Sequence, residues 1–257
     1  MPSDIYEKIN KLTGRAIGDF SLIQENDSIL AAVSGGKDSL LLLHLLMEFQ
    51  KKSPVPFQVT AVHLNQGSDN KTHITLKNIF EDWNIPYKIV HEDTHSIVRE
   101  KTPPGEIMCP LCSRLRRGIL YRTARELKCN KIALGHHRDD LLQTFLMNAF
   151  FSGKLGSMTP VYRIGEGDLC VIRPLVYVEE DMIIEYVESR GWPVEICSQC
   201  GSSEILRRSQ MKDLLTELEG KFPGMKNSLA GALKNPHVNE LLDRNLWSHP
   251  DFAMPNG

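Results

Sequence analysis

The apolar pattern opens with a helical period. Ile5, Ile9, Leu12, Ala16 and Ile17 recur between charged residues, which predicts an amphipathic helix over residues 4–18. The period then changes. Ile29 to Val33 is a short unbroken apolar run that stops at Ser34-Gly35-Gly36-Lys37-Asp38-Ser39, after which leucines resume as far as His44. A buried strand, a tight glycine turn and a helix N-terminus have that layout. The helix is expected to run to about Gln50, and residues 51–56 form a loop.

Phe57 to Leu64 alternates and is rich in β formers, so it predicts a second strand, with a polar loop from Asn65 to Asn70 at its end. Thr72 to Trp83 reads as a helix and Pro86 to Val90 as a third strand. Beyond the break at Pro103-Pro104-Gly105, Leu115 to Leu127 is helical, Lys131 to Leu134 is a fourth strand and Asp139 to Phe151 a further helix. Gly153 to Gly167 reads as loop, and Leu169 to Arg173 as a fifth strand stopped by Pro174. Helices follow at Glu179 to Ser189, Leu206 to Leu218 and Lys226 to Leu242.

Strands alternating with helices predict an α/β fold: a doubly wound parallel five-stranded sheet with N- and C-terminal helices. The expected division is a helical segment over residues 1–25, the sheet domain over 26–195 and a C-terminal helical segment over 196–257. Such sheets bind ligands at the carboxyl ends of their strands. The loops at Gly35, Asn65, Cys109 and Gly135 all fall at such ends and are expected to share one crevice.

Composition changes the picture little. The chain has 257 residues, 41% hydrophobic and 24% charged, and a net charge of −2, so any nucleic-acid partner must meet a local basic patch. The start is polar, without the apolar core of a signal peptide, and no run is long enough to span a bilayer. A cytoplasmic protein with no membrane partner is expected. Disulfides are rare there, so the six cysteines ask for another use.

The Ser34–Ser39 turn suits an anion. Gly35 and Gly36 let backbone N–H groups approach phosphate oxygens, the helix start adds free donors, Lys37 adds a cation, and Ser34 and Ser39 add hydroxyls. It is not a Walker A loop, because Asp38 follows the lysine. A carboxylate among phosphate donors implies Mg²⁺ between them, so Asp38 is read as a metal-side catalytic residue and the ligand as a nucleotide polyphosphate. At these residues the chain resembles the PP-loop ATP pyrophosphatases. That resemblance implies ATP held on the turn and a carbonyl oxygen activated by adenylation.

Four of the cysteines form two C-x-x-C pairs, Cys109/Cys112 and Cys197/Cys200, about eighty residues apart. From spacing alone a Cys₄ zinc site, an iron–sulfur cluster and a redox dithiol in the first pair all remain open. The long separation argues only against a compact zinc finger. Cys129 and Cys170 lie in strand surroundings and read as buried or partly buried thiols. Gly135-His136-His137-Arg138-Asp139-Asp140 follows a strand and opens a helix, with two histidines and two carboxylates at the ligand-binding edge. Arg114, Arg116, Arg117, Arg122 and Arg125 crowd one helix, a candidate surface for phosphates of RNA. Arg207, Arg208 and Lys212 extend the basic character of the helix after Cys200.

Three segments, Cys109-Pro-Leu-Cys-Ser-Arg-Leu-Arg-Arg-Gly, Ala133-Leu-Gly-His-His-Arg-Asp-Asp and Cys197-Ser-Gln-Cys-Gly-Ser, occur in order with the PP-loop. Together they resemble the tRNA 2-thiocytidine synthases (the TtcA family), from about Glu7 to Asn245. The resemblance implies ATP-dependent thiolation of a tRNA cytidine in the anticodon loop. It implies a [4Fe–4S] cluster on three cysteines, here Cys109, Cys112 and Cys200, with one iron left open for sulfur, Cys197 being the spare. It places Gly135 and His136 by the nucleotide, and makes Asp139 or Asp140 a candidate for Mg²⁺ or the adenylation step, with Asp139 taken as the catalytic one. It offers Arg116 as a charge-stabilising catalytic residue, and it implies a cysteine desulfurase as sulfur source and a homodimer. One departure stands out: Asn65 occupies a position where the family usually has Asp.

Overall fold

The computed structural model describes residues 2–66, 71–101, 109–165, 167–194 and 203–243. Two compact units result, Met1–Lys212 and Asp213–Gly257.

The first unit holds the sheet. Its strands are β1 (Ser28–Ala32), β2 (Gln58–Asn65), β3 (Tyr87–His91), β4 (Lys131–Ala133), β5 (Val161–Ile164) and β6 (Leu169–Ile172), in the order β3-β2-β1-β4-β6-β5. Every neighbouring pair is parallel except β5 with β6. The five parallel strands are those expected from sequence. The sheet nonetheless has six strands, because β5 lies inside the stretch read as loop. Only four residues long and exposed at alternate positions on the sheet's edge, β5 carries too weak an apolar signal to stand out.

Helices in chain order are α1 (Pro2–Asp19), α2 (Lys37–Lys52), α3 (Thr72–Asp82), α4 (Thr94–Lys101), α5 (Cys109–Glu126), α6 (Arg138–Ser152), α7 (Glu180–Arg190), α8 (Ser203–Lys221) and α9 (Met225–Ala232). Three differ from expectation. The short, polar α4 was not foreseen. α5 begins at Cys109, so the first cysteine pair lies in its first turn rather than ahead of it. The helix expected to reach Leu242 ends at Ala232. Pro236, which has no N–H to donate, precedes a single 3₁₀ turn, Val238–Glu240.

Alternation along the strands sends side chains to two cores. Ile29, Ala31 and Val33 of the first strand and its exit join Leu40–Leu43, Leu76, Phe80 and Ile183 on one face. Leu30 joins Val62, Ala124, Ile132 and Val171 on the other. The leucines of α2 are fully buried, each contributing roughly 2 kcal/mol of apolar burial. α1 lies along α7 in the same unit, its Ile5, Ile9 and Ala16 buried as the helical spacing predicts. This packing fixes the carboxyl edge of β1, β2 and β4, where the polar loops emerge.

Candidate active site

The turn between β1 and α2 is held by its own hydroxyls. The Ser34 N–H donates to Ser39 Oγ at 3.2 Å, the two hydroxyls are 3.2 Å apart, and Ser39 Oγ donates to the Gly36 carbonyl at 2.9 Å. Gly35 has φ +95°, a conformation that side chains rarely adopt. α2 therefore starts with first-turn N–H groups that have no acceptor within the helix, while the Gly36 N–H donates to Ser34 Oγ at 3.3 Å.

Charge is concentrated just above that turn. Lys37 Nζ donates to both oxygens of Asp38, at 3.0 and 3.1 Å, and lies 3.1 Å from Glu180 Oε1 at the start of α7. Burial alone would lower the Lys37 pKa, but Asp38 and Glu180 outweigh it and raise it. Glu180 also pairs with Lys212 of α8, 2.9 Å through Oε1 and 2.8 Å through Oε2. Burial opposes its ionisation, yet Lys212 and Lys37 hold its pKa down to about 2.

The β4–α6 turn leans on the same loop. A Cβ at Gly135 would lie 3.0 Å from the Asp38 carbonyl carbon and oxygen and 3.1 Å from the Ser39 nitrogen, so only glycine allows this approach. His137 Nε2 sits 3.7 Å from Asp38 Oδ1 and 3.5 Å from Asp140 Oδ2. Asp140 also accepts the His137 N–H at 3.1 Å, which caps α6, and lies 3.7 Å from Arg208. Of the two carboxylates, Asp140 belongs to the loop's network. Asp139 is buried and turns to α7, accepting the Glu180 N–H at 3.0 Å. His136 receives a hydrogen bond from Arg173 Nε at 3.3 Å, and burial, followed by nearby arginines, holds its pKa down to about 4 against the pull of Asp140.

Cys112 of the first cysteine pair reaches the same edge of the sheet. Gln66, the residue after β2, donates from Nε2 to Cys112 Sγ at 3.6 Å and to Thr94 Oγ1 at 2.8 Å. β2 pairs with β1 along its length, and β1 feeds the phosphate turn. Cys112 is a free, half-buried thiol. Cys197 and Cys200 lie outside the described residues. Among the described residues no cluster of three His, Cys, Asp or Glu side chains could hold a metal. Cys112 still fits a thiolate ligand: it lies in a helix's first turn, receives an amide N–H, and is followed by Arg114, Arg116 and Arg117.

The arginines of α5 divide into two groups. Arg122 pairs with Glu92, and Arg125 makes a bidentate pair with Asp168 at 2.7 and 3.1 Å. Arg114, Arg116 and Arg117 are exposed and make no ion pair among the described residues. Arg116 lies close enough to His63 to add to the lowering of its pKa, which burial dominates. His63 Nδ1 in turn bonds the Val33 carbonyl at 2.8 Å, just ahead of the phosphate turn. Asn65, in place of the family's carboxylate, contacts His73 Nδ1 at 3.2 Å and His91 Nδ1 at 3.3 Å. Glu180 was missed from sequence. Its only local signal was an acidic pair opening a helix, which is also ordinary capping.

A glycine turn ahead of a buried helix, at the carboxyl edge of a mostly parallel sheet, defines a PP-loop protein, and residues 2–196 match the family model of the PP-loop domain. The chain is 44% identical over 253 residues to the tRNA-cytidine(32) 2-sulfurtransferase of Vibrio cholerae serotype O1, covering 98% of this chain and 82% of that one. It is 45% identical over 240 residues to the enzyme of the same name from Ralstonia pickettii, with 93% and 76% covered. It belongs to the tRNA-cytidine(32) 2-sulfurtransferase family. Among solved structures it is similar to the U34-tRNA thiolase NcsA of Methanococcus maripaludis with its [4Fe–4S] cluster. The TM-score is 0.74 at 25% identity, covering 91% of this chain and 79% of that one.

Proposed function

We propose that the protein is an ATP-dependent tRNA sulfurtransferase that replaces the C2 oxygen of cytidine 32 with sulfur. The observation that carries this reading is the shared edge: the Cys112 thiol and the Ser34–Ser39 turn stand at the ends of adjacent parallel strands. Names of relatives and of the NcsA structure support the same chemistry.

In this reading the turn's N–H groups and Lys37 bind the β- and γ-phosphates of ATP, and Lys37 exchanges a carboxylate partner for phosphate. Asp38 would hold Mg²⁺, whose charge would offset the repulsion between its carboxylate and the phosphates. Gly135 keeps the β4–α6 turn against the loop, and His136 lies beside the nucleotide. Asp139 anchors α7, while Asp140 and His137 orient Asp38. The cytidine C2 oxygen attacks the α-phosphate, pyrophosphate leaves, and the base becomes an O-adenylate with AMP as a good leaving group. A [4Fe–4S] cluster on Cys109, Cys112 and Cys200 would supply the sulfur nucleophile, ultimately from a cysteine desulfurase. Arg116 offsets charge at the departing AMP, and Arg114 and Arg117 meet tRNA phosphates. The enzyme acts as a cytoplasmic homodimer.

Protein purified without oxygen tests the first half of this reading. About four irons and matching sulfide per chain are expected, lost in Cys112→Ala. Stoichiometric zinc without iron would overturn it. The substrate is tested in a strain lacking the gene, where tRNA 2-thiocytidine should vanish. Unchanged levels would point to another base or a small molecule.

A further inference from the structure

Two chains of charge leave the phosphate turn and end on the same helix. One runs from Lys37 to Glu180 to Lys212, with gaps of 3.1 and 2.8 Å. The other runs from Asp38 through His137 and Asp140 to Arg208, with gaps of 3.7, 3.5 and 3.7 Å. Arg208 and Lys212 are four residues apart on α8, so both belong to one face of that helix. Sequence alone offered these two cations to RNA. The fold instead pairs Lys212 with Glu180, which touches Lys37 of the turn, and Arg208 with Asp140, which reaches Asp38 through His137. α8 starts at Ser203, three residues after Cys200 in the chain.

We infer that Glu180 is a positioning residue that couples nucleotide occupancy of the phosphate turn to α8 through Lys212, with Asp140–Arg208 as a parallel path. The inference rests on the turn being an ATP site. Its physics is a competition for cations. Lys37 already faces two carboxylates, Asp38 and Glu180. A polyphosphate seated on the turn draws Lys37 toward itself, and Glu180 then depends on Lys212 alone. The added negative charge also strengthens the pull on Arg208. Both effects tighten α8 when nucleotide is bound, so helix and ligand share a coupling free energy. A purely structural tie would hold α8 equally with and without nucleotide.

Amide hydrogen exchange of residues 203–212 in the full chain, with and without Mg²⁺ and a non-hydrolysable ATP analogue, tests this. Saturation with analogue is expected to slow exchange there by about 5-fold or more, the low end of ordinary coupling. In Arg208→Met/Lys212→Met, held at the same fractional saturation, exchange should be the same in both states. If that double variant fails to fold, Lys212→Arg should keep the slowing and Lys212→Gln should reduce it. Slowing that survives in the double variant, or that Lys212→Gln leaves intact, overturns the coupling. So does a saturated wild-type protein whose exchange does not change. Failure of the wild type to bind the analogue at all would instead overturn the reading of the turn as an ATP site, and the coupling with it.

Discussion

The start and the middle of α2 are built on opposite principles. At its N-terminus Ser34, Lys37, Asp38, His137 and Glu180 form a network of polar contacts with little apolar surface. Midway along the helix His44 meets Tyr6, Trp83, Tyr186 and Trp192, which stack and tilt on it and on one another with ring centroids 5.1 to 6.1 Å apart. Polar contacts in that cluster include 3.2 Å between the Tyr186 hydroxyl and His44 Nε2 and 3.3 Å from Asn10 Nδ2 to the Tyr6 hydroxyl. The charged start gains little stability from its own contacts, since every ion pair there offsets a desolvation cost. The aromatic middle stabilises the fold through area and ring packing. The same helix thus carries chemistry at its start and anchorage at its middle, and substitutions should separate the two.

The sharpest separation is expected at Asp38. Asp38→Ala should lower thiolation at least about 10³-fold, as loss of a metal-side group does, while thermal stability changes by no more than a few degrees. A large fall in melting temperature with activity per folded molecule preserved would break the comparison from the chemical side. Next comes Tyr186→Ala. Tyr186 is 4% exposed and stacks on Tyr6 at 5.4 Å, so its truncation should cost about 3 kcal/mol. For a chain of this size that lowers the melting temperature by roughly 6–12 °C. ATP KM should stay within about 2-fold, read in steady-state assays at a temperature where the variant remains folded.

Gly135→Ala tests the seam between the turns. The new methyl would meet Asp38 and Ser39 backbone atoms at 3.0–3.1 Å, and backbone cannot swing aside as a side chain can. The phosphate turn must shift instead. ATP KM is expected to rise about 10-fold with a smaller effect on stability. Unchanged KM would show that the two turns move independently.

What the sequence revealed followed signal strength. The five parallel strands were legible because each is a short run rich in apolar or β-branched residues next to Gly or Pro punctuation, most fully buried at β1 and β4 and only half-buried at the edge strand β3. The Ser34–Ser39 turn was legible because its residue types have few other uses in that order. β5 escaped because an edge strand of four residues shows neither alternation of contrast nor length. Glu180 escaped because its meaning is tertiary: two lysines distant in sequence, Lys37 and Lys212, meet it only after the chain folds. The choice between Asp139 and Asp140 escaped for a related reason. Adjacent helical residues point about 100° apart, and no local signal states which of the two directions faces the loop.

The last test compares a histidine beside the phosphate turn with one in the aromatic cluster. His136, near the turn, and His44, in the aromatic cluster, both have pKa values lowered chiefly by burial, His136 to about 4. For such a group the unfolded chain binds the proton more readily. Stability is therefore fully present above the ordinary value of 6.5 and is lost as pH falls from there toward 4. Glu180 does not confuse this window, because its folded pKa of about 2 makes its contribution fall away only below its ordinary value of 4.5. Well inside this window the buried, neutral His136 should cost roughly 1.4 kcal/mol per pH unit. Urea unfolding at pH 6.5 and at about 5.5 should show wild-type stability falling, and His136→Gln losing about 1 kcal/mol less than wild type, because the unfolded imidazole is already half protonated at 6.5. His44→Phe should reduce the loss in the same direction while leaving ATP KM unchanged, because His44 packs in the aromatic cluster two turns along α2 from Lys37. Equal pH slopes in wild type and His136→Gln would show that His136 takes up its proton as readily in the folded protein as in the unfolded chain, and would make the edge around Arg173 and Asp140 more solvated than its packing indicates.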